Sequence, residues 1–385
     1  KNYRSIKDSA VISFAASKDK SLESYLLHPD EKRALLPAIA IYGANAAGKS
    51  NVLHALMTMK DMVVGEAAKI SKGQKLPWEP FGDTTAPTSF EIVFIYQCVR
   101  YAYGFSFDAK KIYTEYLYHW PNGREALIFS RENGAYEFRE NVNEQSTLSN
   151  RTPDNKLYLV SSNDWNLPQT ENAYKWFLEK LTFLMEEAPA TSETVAQIAS
   201  SDEKKARILK ELLLADLGIS DVTVKNISGK APVIMTTHRV IGADGSVEHF
   251  QLLMDQESSG TQRFFSRIVG WLQALEDGAL LVVDEIEDSL HPLLTKRLIE
   301  MVQDNTINTE GAQLLLTTHD AMLLDLTFFR RDQIWFAEKD EKSCATELYS
   351  LASFSPRKGE NIRKGYLQGR FGAIPFIGGD GLWQE

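Results

Sequence analysis

Residues 36–58 read LPAIAIYGANAAGKSNVLHALMT, and this stretch decides the fold. The apolar run at 39–42 leads into Gly43-Ala44-Asn45-Ala46-Ala47-Gly48-Lys49-Ser50, and an amphipathic run follows. This order predicts a buried strand, a glycine loop and a helix, as in the P-loop motif G-x-x-x-x-G-K-[ST]. The sequence therefore predicts an α/β fold whose central strand ends in a nucleotide-binding loop.

The residue types of this loop suit a phosphate ligand. Gly43 and Gly48 allow backbone conformations that turn successive N–H groups toward a di- or triphosphate. The helix that starts near Lys49 points its positive dipole end at the same anion. Lys49 is predicted to pair with the β- and γ-phosphates, and the Ser50 hydroxyl to hold Mg²⁺. A glycine-rich turn capping an ordinary helix is the alternative, which the strand-before, helix-after context disfavours.

Length and composition allow one large α/β domain with a smaller lobe. The chain has 385 residues, an apolar fraction of 43% and a formal net charge of −10. The acidic balance argues against a broad basic surface that coats DNA. Without a run of about 18 uncharged apolar residues, we expect no membrane span. Cys98 and Cys344 fit no metal-binding spacing, so we expect buried thiols in a reducing cytoplasm. The opening KNYRSIKDSAVISF is typical of the second half of an edge hairpin, so we expect a few residues to precede Lys1.

A β-rich part and a helical part follow the P-loop. Residues 90–120 favour strands, and Asn-Gly pairs at 122–123 and 133–134 mark hairpin turns. The aromatic residues there suit the buried face of a sheet, with a base-stacking platform as the alternative. Residues 163–218 are helical in pattern, and they lack the sustained heptads of a long coiled coil.

Two later apolar runs end in residues with catalytic chemistry. Residues 279–283 end in Asp284-Glu285, and residues 312–316 end shortly before His319. In a Walker B arrangement, Asp284 orients Mg²⁺ through its water shell and Glu285 polarises the attacking water. His319 follows a buried strand from which it can reach the γ-phosphate, with a structural histidine as the alternative. Before both runs, ESSGTQRF at 257–264 opens another predicted helix, for which a plain Ser/Gly cap is the alternative.

The order of these motifs resembles the ATP-binding-cassette superfamily, specifically its SMC-like and OLD-like branch. ESSGTQRF is similar to the signature motif of that branch, LLVVDEIEDSLHP to its fused Walker B and D-loop, and KNYRSIKD to the strand that begins these ATPase heads. His291 stands where SMC heads have Asp, which puts D-loop coupling in doubt. Gln97 is a Q-loop candidate, although a buried strand position is the favoured interpretation.

The resemblance implies a role for each matching position. It assigns catalysis to Glu285, His319 and Lys49, and Mg²⁺ binding to Ser50 and Asp284. It assigns nucleotide binding to Gly43, Ala44, Asn45, Ala46, Ala47, Gly48, Lys49, Ser50, Asn51 and Arg4. It assigns contacts to the partner's nucleotide to Ser258, Ser259, Gly260 and Gln262, and the D-loop to Asp288 and Ser289.

For the fold, the resemblance implies a P-loop NTPase of the ABC/SMC-head type. Residues 1–160 would be the N-terminal half of the head, with an antiparallel β part and the P-loop. Residues 161–220 would be an inserted helical lobe in place of a coiled coil. Residues 221–385 would be the C-terminal half of the head, which contains the signature, Walker B, the D-loop and the histidine. The core sheet of the head would be mixed or parallel.

More closely, the chain resembles the small bacterial AAA-family ATPases of abortive-infection loci, the RloA/AbiL type. SKDKSLE, YLYHWPNGREALIF and KGYLQGRFGAIPF carry this likeness along most of the chain. It implies a cytoplasmic ATPase with ATP and Mg²⁺ that acts in anti-phage defence as a homodimer, or as a higher homo-oligomer built from dimers. The effector would be a separately encoded protein, in particular a nuclease, since the 66 residues after His319 are too few for the Toprim domain of OLD relatives.

Other functions stay open at this point. An SMC-like ATPase of DNA repair or recombination is one, and an ATP-binding scaffold or sensor with little turnover is another. The basic tail RKGENIRKGYLQGR at 357–370 could contact nucleic acid, with Tyr366 and Phe371 as stacking residues, or form an ordinary solvated face.

Overall fold

The computed structural model describes residues 1–184, 201–215, 217–225, 232–288, 290–354, 356–357 and 359–375. The strands in these ranges are β1 (Leu27–Asp30), β2 (Arg33–Leu35), β3 (Ala38–Tyr42), β4 (Thr88–Tyr96), β5 (Val99–Phe107), β6 (Ile112–Trp120), β7 (Ala126–Glu132), β8 (Ala135–Phe138), β9 (Leu181–Leu184), β10 (Ile219–Lys225), β11 (Val233–Ile241), β12 (Val247–Leu253), β13 (Leu280–Val283), β14 (Gln313–Thr317), β15 (Ile334–Lys339) and β16 (Thr346–Ser350). The α-helices are α1 (Lys49–Val64), α2 (Val142–Ser149), α3 (Tyr158–Asp164), α4 (Pro168–Glu179), α5 (Asp202–Leu214), α6 (Ser259–Asp277), α7 (Pro292–Gln303) and α8 (Ile362–Leu367).

A six-stranded mixed sheet lies at the centre, with the strand order β16-β15-β3-β14-β13-β9. Five of these strands run parallel, and β16 is antiparallel to β15 at one edge. Every residue of β3 is buried, because a parallel sheet is covered on both faces. Since parallel strands end at the same edge, the loops after β3, β14 and β13 lie side by side there.

The central sheet separates two hydrophobic cores. Ala38, Ala40 and Tyr42 of β3 face the core built with α6 and α7. Ile39 and Ile41 face the other core, which contains α1 and residues of the sheet β4–β8. Successive side chains of a strand point to opposite faces, so one short apolar strand anchors both cores and holds the P-loop between them.

The sheet β4-β5-β6-β7-β8 is antiparallel, as residues 90–120 predict. Its β7–β8 turn is formed by Asn133 and Gly134, both with positive φ. Tyr103, Phe105 and Phe107 are buried in the core, which confirms the sheet-face interpretation and leaves those rings no access to bases. β5 is buried on both faces rather than on alternate residues: Trp176 of α4 packs on the face of the rings through Phe94, and on the other face Tyr116 of β6 lies over Gly104.

Predictions at two solvent-facing turns are wrong. Gln97 and Cys98 form the tight β4–β5 turn with φ of 49° and 62°, so Gln97 is an exposed turn residue rather than a buried strand residue. Cys344 lies in the turn before β16, and both cysteines are exposed free thiols rather than buried ones. A tight turn between antiparallel strands projects from the sheet, so its side chains face water.

The helical prediction for 163–218 is wrong at Leu181–Leu184. These residues form β9, an edge strand that pairs in parallel with β13. Tertiary pairing overrides local helical pattern here, because the segment offers a short apolar strand to an open sheet edge. Residues 185–200 of the predicted lobe lie outside the described residues, so the three-part domain division stays a prediction. The fold class itself, an α/β P-loop NTPase with an antiparallel part and a mixed core sheet, is confirmed.

The C-terminal tail packs against the central sheet. Tyr366 and Phe371 are buried and lie against Phe336 of β15, so they cannot stack on nucleic-acid bases. Arg370 forms an ion pair with Glu360 within the tail. No helix among the described residues is both long enough and apolar enough to cross a membrane.

Candidate functional site

The P-loop connects β3 to α1 and curls around the ammonium group of Lys49. Lys49 is 5% exposed, and its Nζ donates to the carbonyl oxygens of Gly43 at 3.0 Å and Ala44 at 3.1 Å. Ala46 has a φ of 63°, which places the loop's exposed tip in the left-handed region. The loop is therefore already folded as a cradle, with its own lysine bound to two backbone oxygens.

The underside of the P-loop is fixed by residues from both ends of the chain. The Thr346 hydroxyl lies 2.9 Å from the carbonyl oxygen of Ala47 and 2.7 Å from the Ser5 hydroxyl. The Asn51 amide donates to Ser5 Oγ at 2.7 Å. A Cβ atom added to Gly48 would clash with Thr346 Oγ1 and lie 2.6 Å from Ser5 Oγ. The glycine is required here by space as well as by conformation.

We expect Gly48→Ala to weaken both the fold and nucleotide binding. Gly48 has a φ of +97°, and its missing side chain makes room for Thr346 and Ser5. Gly245 is a matched control, because its φ is +84° with nothing within 4 Å of an added Cβ. Gly245→Ala should cost about 1 kcal/mol of unfolding free energy from conformation alone, and Gly48→Ala about 1–3 kcal/mol more from the clash. ATP affinity, measured with a fluorescent analogue, should fall at least about tenfold only in Gly48→Ala. Equal effects of the two variants would contradict this.

The acidic loop after β13 is tied to the end of β14. The Thr317 hydroxyl donates to Asp284 Oδ1 at 2.5 Å and accepts the Glu285 backbone N–H at 2.8 Å. Glu285 adopts a φ of 44°, a conformation that residues other than glycine rarely take. Its side chain is 56% exposed, so the loop presents a carboxylate to solvent at the sheet edge.

His319 lies beside the same loop. Its Nε2 is 3.6 Å from Glu285 Oε1, and its backbone N–H donates to Glu287 Oε1 at 2.5 Å. Glu287 Oε2 is buried and has no hydrogen-bond partner among the described residues. The structure thus brings the side chains of Glu285 and His319 together, and Glu287 holds the backbone of His319 by accepting its N–H.

Electrostatics link Lys49 to these acids. Burial lowers the pKa of the Lys49 ammonium, and the carboxylates of Glu285, Asp284 and Glu287 act in the opposite direction. Opposite charges shift a pKa in this direction when they lie near the group. The lysine and the three acids therefore form one charged site at the end of the central sheet.

The donor set fits Mg²⁺ held together with a phosphate. Ser50 lies at the start of α1, and Asp284 follows β13 with Oδ1 occupied by Thr317. Mg²⁺ prefers oxygen donors and is usually held by one or two carboxylates, substrate phosphates and waters. No group of three or more His, Cys, Asp or Glu side chains in the described part of the chain could hold a metal unaided. The residues therefore fit a magnesium ion that arrives with a nucleotide.

The signature residues lie at the start of α6. The Ser258 hydroxyl caps this helix by accepting the Thr261 backbone N–H at 3.2 Å. Ser258 and Ser259 are exposed, whereas the Gln262 amide donates to the carbonyl oxygens of Asp255 and Glu257. Ser259 thus faces solvent at a helix N-terminus with the half-buried Gly260 beside it, and Gln262 shapes the loop before the helix.

The signature loop is anchored on both sides. Glu257 Oε1 lies 2.6 Å from His238 Nε2 of the sheet β10-β11-β12. Arg263 pairs with Asp288, and Arg267 donates to the carbonyl oxygen of Ile286 at 2.6 Å. The signature helix is therefore connected to the acidic loop of its own subunit, while the described contacts of Ser258, Ser259, Gly260 and Gln262 include no P-loop atom.

Arg4 lies at the edge of the site. Its Nε is 2.8 Å from Glu79 Oε2, and the neighbouring Ser5 contacts the P-loop as described above. Burial lowers the pKa of His54 on α1, and Arg4 lowers it further, while Asp284 raises it. Arg4 is thus ion-paired with Glu79, and its binding to a nucleotide stays a prediction.

In the D-loop, Ser289 lies outside the described residues. His291 caps α7 by accepting the Leu293 backbone N–H at Nδ1, 3.3 Å away. Sequence reasoning missed Thr317, Ser5, Thr346 and Glu287, since their contacts join segments far apart in the chain. For Thr317, the polar pair Thr-Thr at the end of an apolar strand was an available signal.

The chain matches one family model over most of its length. A family model described as "AAA domain, putative AbiEii toxin, Type IV TA system" matches residues 38–325. The matched range begins at β3 and ends after His319, so it contains the P-loop, the acidic loop and the signature loop. A comparison with curated proteins gives no match.

Two solved structures are distantly similar to this chain. One is an SMC head bound to the C-terminal winged-helix domain of ScpA, with 12% identity, a TM-score of 0.36, and 84% of this chain and 95% of that chain covered. The other is an SMC head domain with coiled coil and joint from Pyrococcus yayanosii, with 11% identity, a TM-score of 0.27, and 57% of this chain and 40% of that chain covered.

Proposed function

Because the chain belongs to this AbiEii-type family of AAA domains, we propose that it is a Mg²⁺-dependent ATPase of a bacterial anti-phage system. In this proposal it hydrolyses ATP to ADP and phosphate in the cytoplasm. Hydrolysis regulates a separately encoded effector, in particular a nuclease. The family description itself names a toxin of a type IV toxin–antitoxin system, which is in keeping with a dedicated protein partner.

One observation carries the proposal. Three adjacent parallel strands end side by side and supply Lys49 after β3, Asp284 and Glu285 after β13, and His319 after β14. A cation for phosphates, a carboxylate for a metal and a solvent-facing base are the parts that phosphoryl transfer to water requires. A passive phosphate-binding loop has no need of Glu285 held next to His319.

The chain's own residues would divide the work as follows. Lys49 exchanges its two backbone carbonyl partners for phosphate oxygens, and the N–H groups of the P-loop bind the same phosphates. Ser50 and Asp284 hold Mg²⁺, which neutralises charge on the phosphates when bound. Glu285 accepts a proton from the attacking water, and His319 donates to the γ-phosphate. Most of the acceleration would come from positioning and electrostatics.

The signature residues act in this proposal on a second subunit. Ser259 is exposed and Gly260 half-buried at the N-terminus of a 19-residue helix, and neither contacts a nucleotide site of its own chain in the described contacts. A helix N-terminus favours an anion. In a head-to-tail dimer, Ser258, Ser259 and Gly260 would close over the γ-phosphate held by the partner's P-loop. Gln262 would support them by fixing the loop.

A scaffold that binds ATP with little turnover is the second candidate, and the D-loop position of His291 favours it. Turnover per chain separates the two candidates. In the proposed dimeric ATPase, turnover per chain rises with chain concentration until dimers saturate, and ATP raises the measured mass from monomer to dimer. The scaffold predicts ATP binding with neither effect.

We expect Gly260→Asp to separate binding from hydrolysis. The added carboxylate would face the partner's γ-phosphate, so turnover should fall at least about 30-fold and the ATP-dependent dimer should be lost. ATP affinity of the single chain should stay within about threefold of wild type, because the P-loop is unchanged. The measurements are ATP turnover, analogue binding and mass with and without ATP. Full turnover in Gly260→Asp would exclude the trans role of the signature.

A further inference from the structure

The last residue of β14, Thr317, makes an unusual set of contacts with the acidic loop. Its hydroxyl donates to Asp284 Oδ1 at 2.5 Å and accepts the backbone N–H of Glu285 at 2.8 Å. Its carbonyl oxygen accepts the N–H of Ile286 at 3.1 Å. Through its hydroxyl and its backbone carbonyl oxygen, Thr317 thus contacts three consecutive residues of the acidic loop that follows the neighbouring strand β13.

We propose that Thr317 is a positioning residue that sets the geometry of both Walker B acids through its single hydroxyl. The hydroxyl uses its only proton on Asp284 and a lone pair on Glu285, so each bond fixes the direction of the other. This inference rests on the proposed ATPase function for its effect on turnover, but its effect on loop structure does not depend on that function.

The conformation of Glu285 supports this role. A φ of 44° is unfavourable for a residue with a side chain, and such a conformation persists only when surrounding contacts determine it. The side chain of Glu285 is 56% exposed, so packing does not impose the conformation. Two described hydrogen bonds hold the backbone of Glu285: its N–H donates to Thr317 Oγ1, and its carbonyl oxygen accepts the Asp288 N–H.

The contact to Asp284 has a second consequence. A hydrogen bond from a neutral hydroxyl to a carboxylate is strong and directional. With Thr317 on Oδ1, the Asp284 carboxylate is held in one orientation, and Oδ2, which has no partner in the described contacts, would be the oxygen available to Mg²⁺. Thr317 is 0% exposed, so bulk water does not compete for this bond.

Hydrogen bonds also fix the two residues that follow Thr317, Thr318 and His319. Thr318 donates its N–H to the carbonyl oxygen of Ile41 in β3, and the His319 N–H binds Glu287 of the acidic loop. Thr317 therefore lies where the P-loop strand, the acidic loop and His319 are joined. Loss of its hydroxyl should therefore impair Mg²⁺ binding and the general base more than it impairs ATP binding by the P-loop.

The test compares Thr317→Val, Thr317→Ser and the control Thr295→Val. Valine keeps the branched shape and removes the hydroxyl, whereas serine keeps the hydroxyl. Thr295 on α7 is also 0% exposed, and its hydroxyl has no hydrogen-bond partner among the described residues, so its valine variant reports the cost of the exchange alone. The readouts are turnover, ATP affinity, the Mg²⁺ concentration for half-maximal turnover, and hydrogen exchange of the peptide covering residues 283–288 without nucleotide.

We expect Thr317→Val to lower kcat and raise the Mg²⁺ requirement, each by at least about tenfold, since each lost bond involves a charged or strained group. ATP affinity should stay within about threefold of wild type. Hydrogen exchange at Glu285 and Ile286 should become at least about tenfold faster. Thr317→Ser and Thr295→Val should match wild type within about threefold in every readout. A general loss of packing would lower the melting temperature without changing the Mg²⁺ requirement.

Two results would overturn the proposal: equal exchange of this peptide in Thr317→Val and Thr295→Val, or equal defects in Thr317→Val and Thr317→Ser. If the valine variant does not fold, Thr317→Ala compared with Thr317→Ser isolates the hydroxyl in the same way. If wild type shows no turnover, the proposed ATPase function fails, whereas the exchange comparison still decides whether Thr317 holds the loop.

Discussion

Glu285→Gln is expected to abolish ATP turnover and to hold the chain as an ATP-bound dimer. Glutamine matches glutamate in size but cannot accept the proton of the attacking water. A general base contributes about 10²–10⁴-fold to a reaction rate, so turnover should fall by at least about 100-fold. ATP and Mg²⁺ should still bind, because Lys49, Ser50 and Asp284 are unchanged.

The dimer should accumulate because hydrolysis is the step that releases it. Wild type with ATP should alternate between monomer and dimer, while Glu285→Gln should show a dimer mass for as long as ATP is present. Glu341→Gln is the matched control, since Glu341 is an exposed glutamate in the β15–β16 turn. It should behave as wild type in both measurements.

Loss of turnover without a trapped dimer would separate two parts of the proposal. The general-base role of Glu285 would stand, and the link between ATP and dimer closure would fail. Unchanged turnover in Glu285→Gln would remove Glu285 from catalysis altogether. His319, 3.6 Å away, would then be the next residue to test.

The central part of the fold could be predicted because its signals are local. The apolar run of β3, the two glycines and Lys49 lie within a dozen residues, and phosphate chemistry restricts what such a sequence can form. β13 is uniformly apolar and β14 is apolar at 314–316, because both faces of a parallel sheet are covered. Their order along the chain, with acids after one and histidine after the other, led to the expectation that both act on a nucleotide, and the structure makes the two strands neighbours in the central sheet.

The rest depends on contacts that no local pattern encodes. Ser5 and Thr346 are 341 positions apart, and only folding brings their hydroxyls to 2.7 Å beneath the P-loop. Leu181–Leu184 follows a true helix and continues its apolar character, so only its pairing with β13 makes it a strand. Phe371 stands next to Arg370 in the sequence and invited a nucleic-acid interpretation, yet its ring packs against Phe336. Each of these positions was determined by a partner far away in the chain.

Lys49→Met is expected to remove ATP binding while leaving the fold in place. Lys49 Nζ is bound only to the carbonyl oxygens of Gly43 and Ala44 in the described contacts. On nucleotide binding these two weak partners would be replaced by β- and γ-phosphate oxygens. A hydrogen bond between charged groups contributes about 1.5–3 kcal/mol, so losing two should weaken ATP binding by about 10²–10⁴-fold.

Stability should change little in Lys49→Met, and the reason lies in the burial of the Lys49 ammonium. Burial lowers the pKa of Lys49, which means that the folded chain disfavours its charged form. Methionine has a similar length and no charge to desolvate, so the unfolding free energy should stay within about 1 kcal/mol of wild type. Lys69→Met is the control, because Lys69 is an exposed residue paired with Glu66. Titration of a fluorescent ATP analogue checks the expected loss of binding, and thermal unfolding checks the expected stability. If Lys49→Met bound ATP within about threefold of wild type, the phosphates would lie elsewhere than in the P-loop cradle.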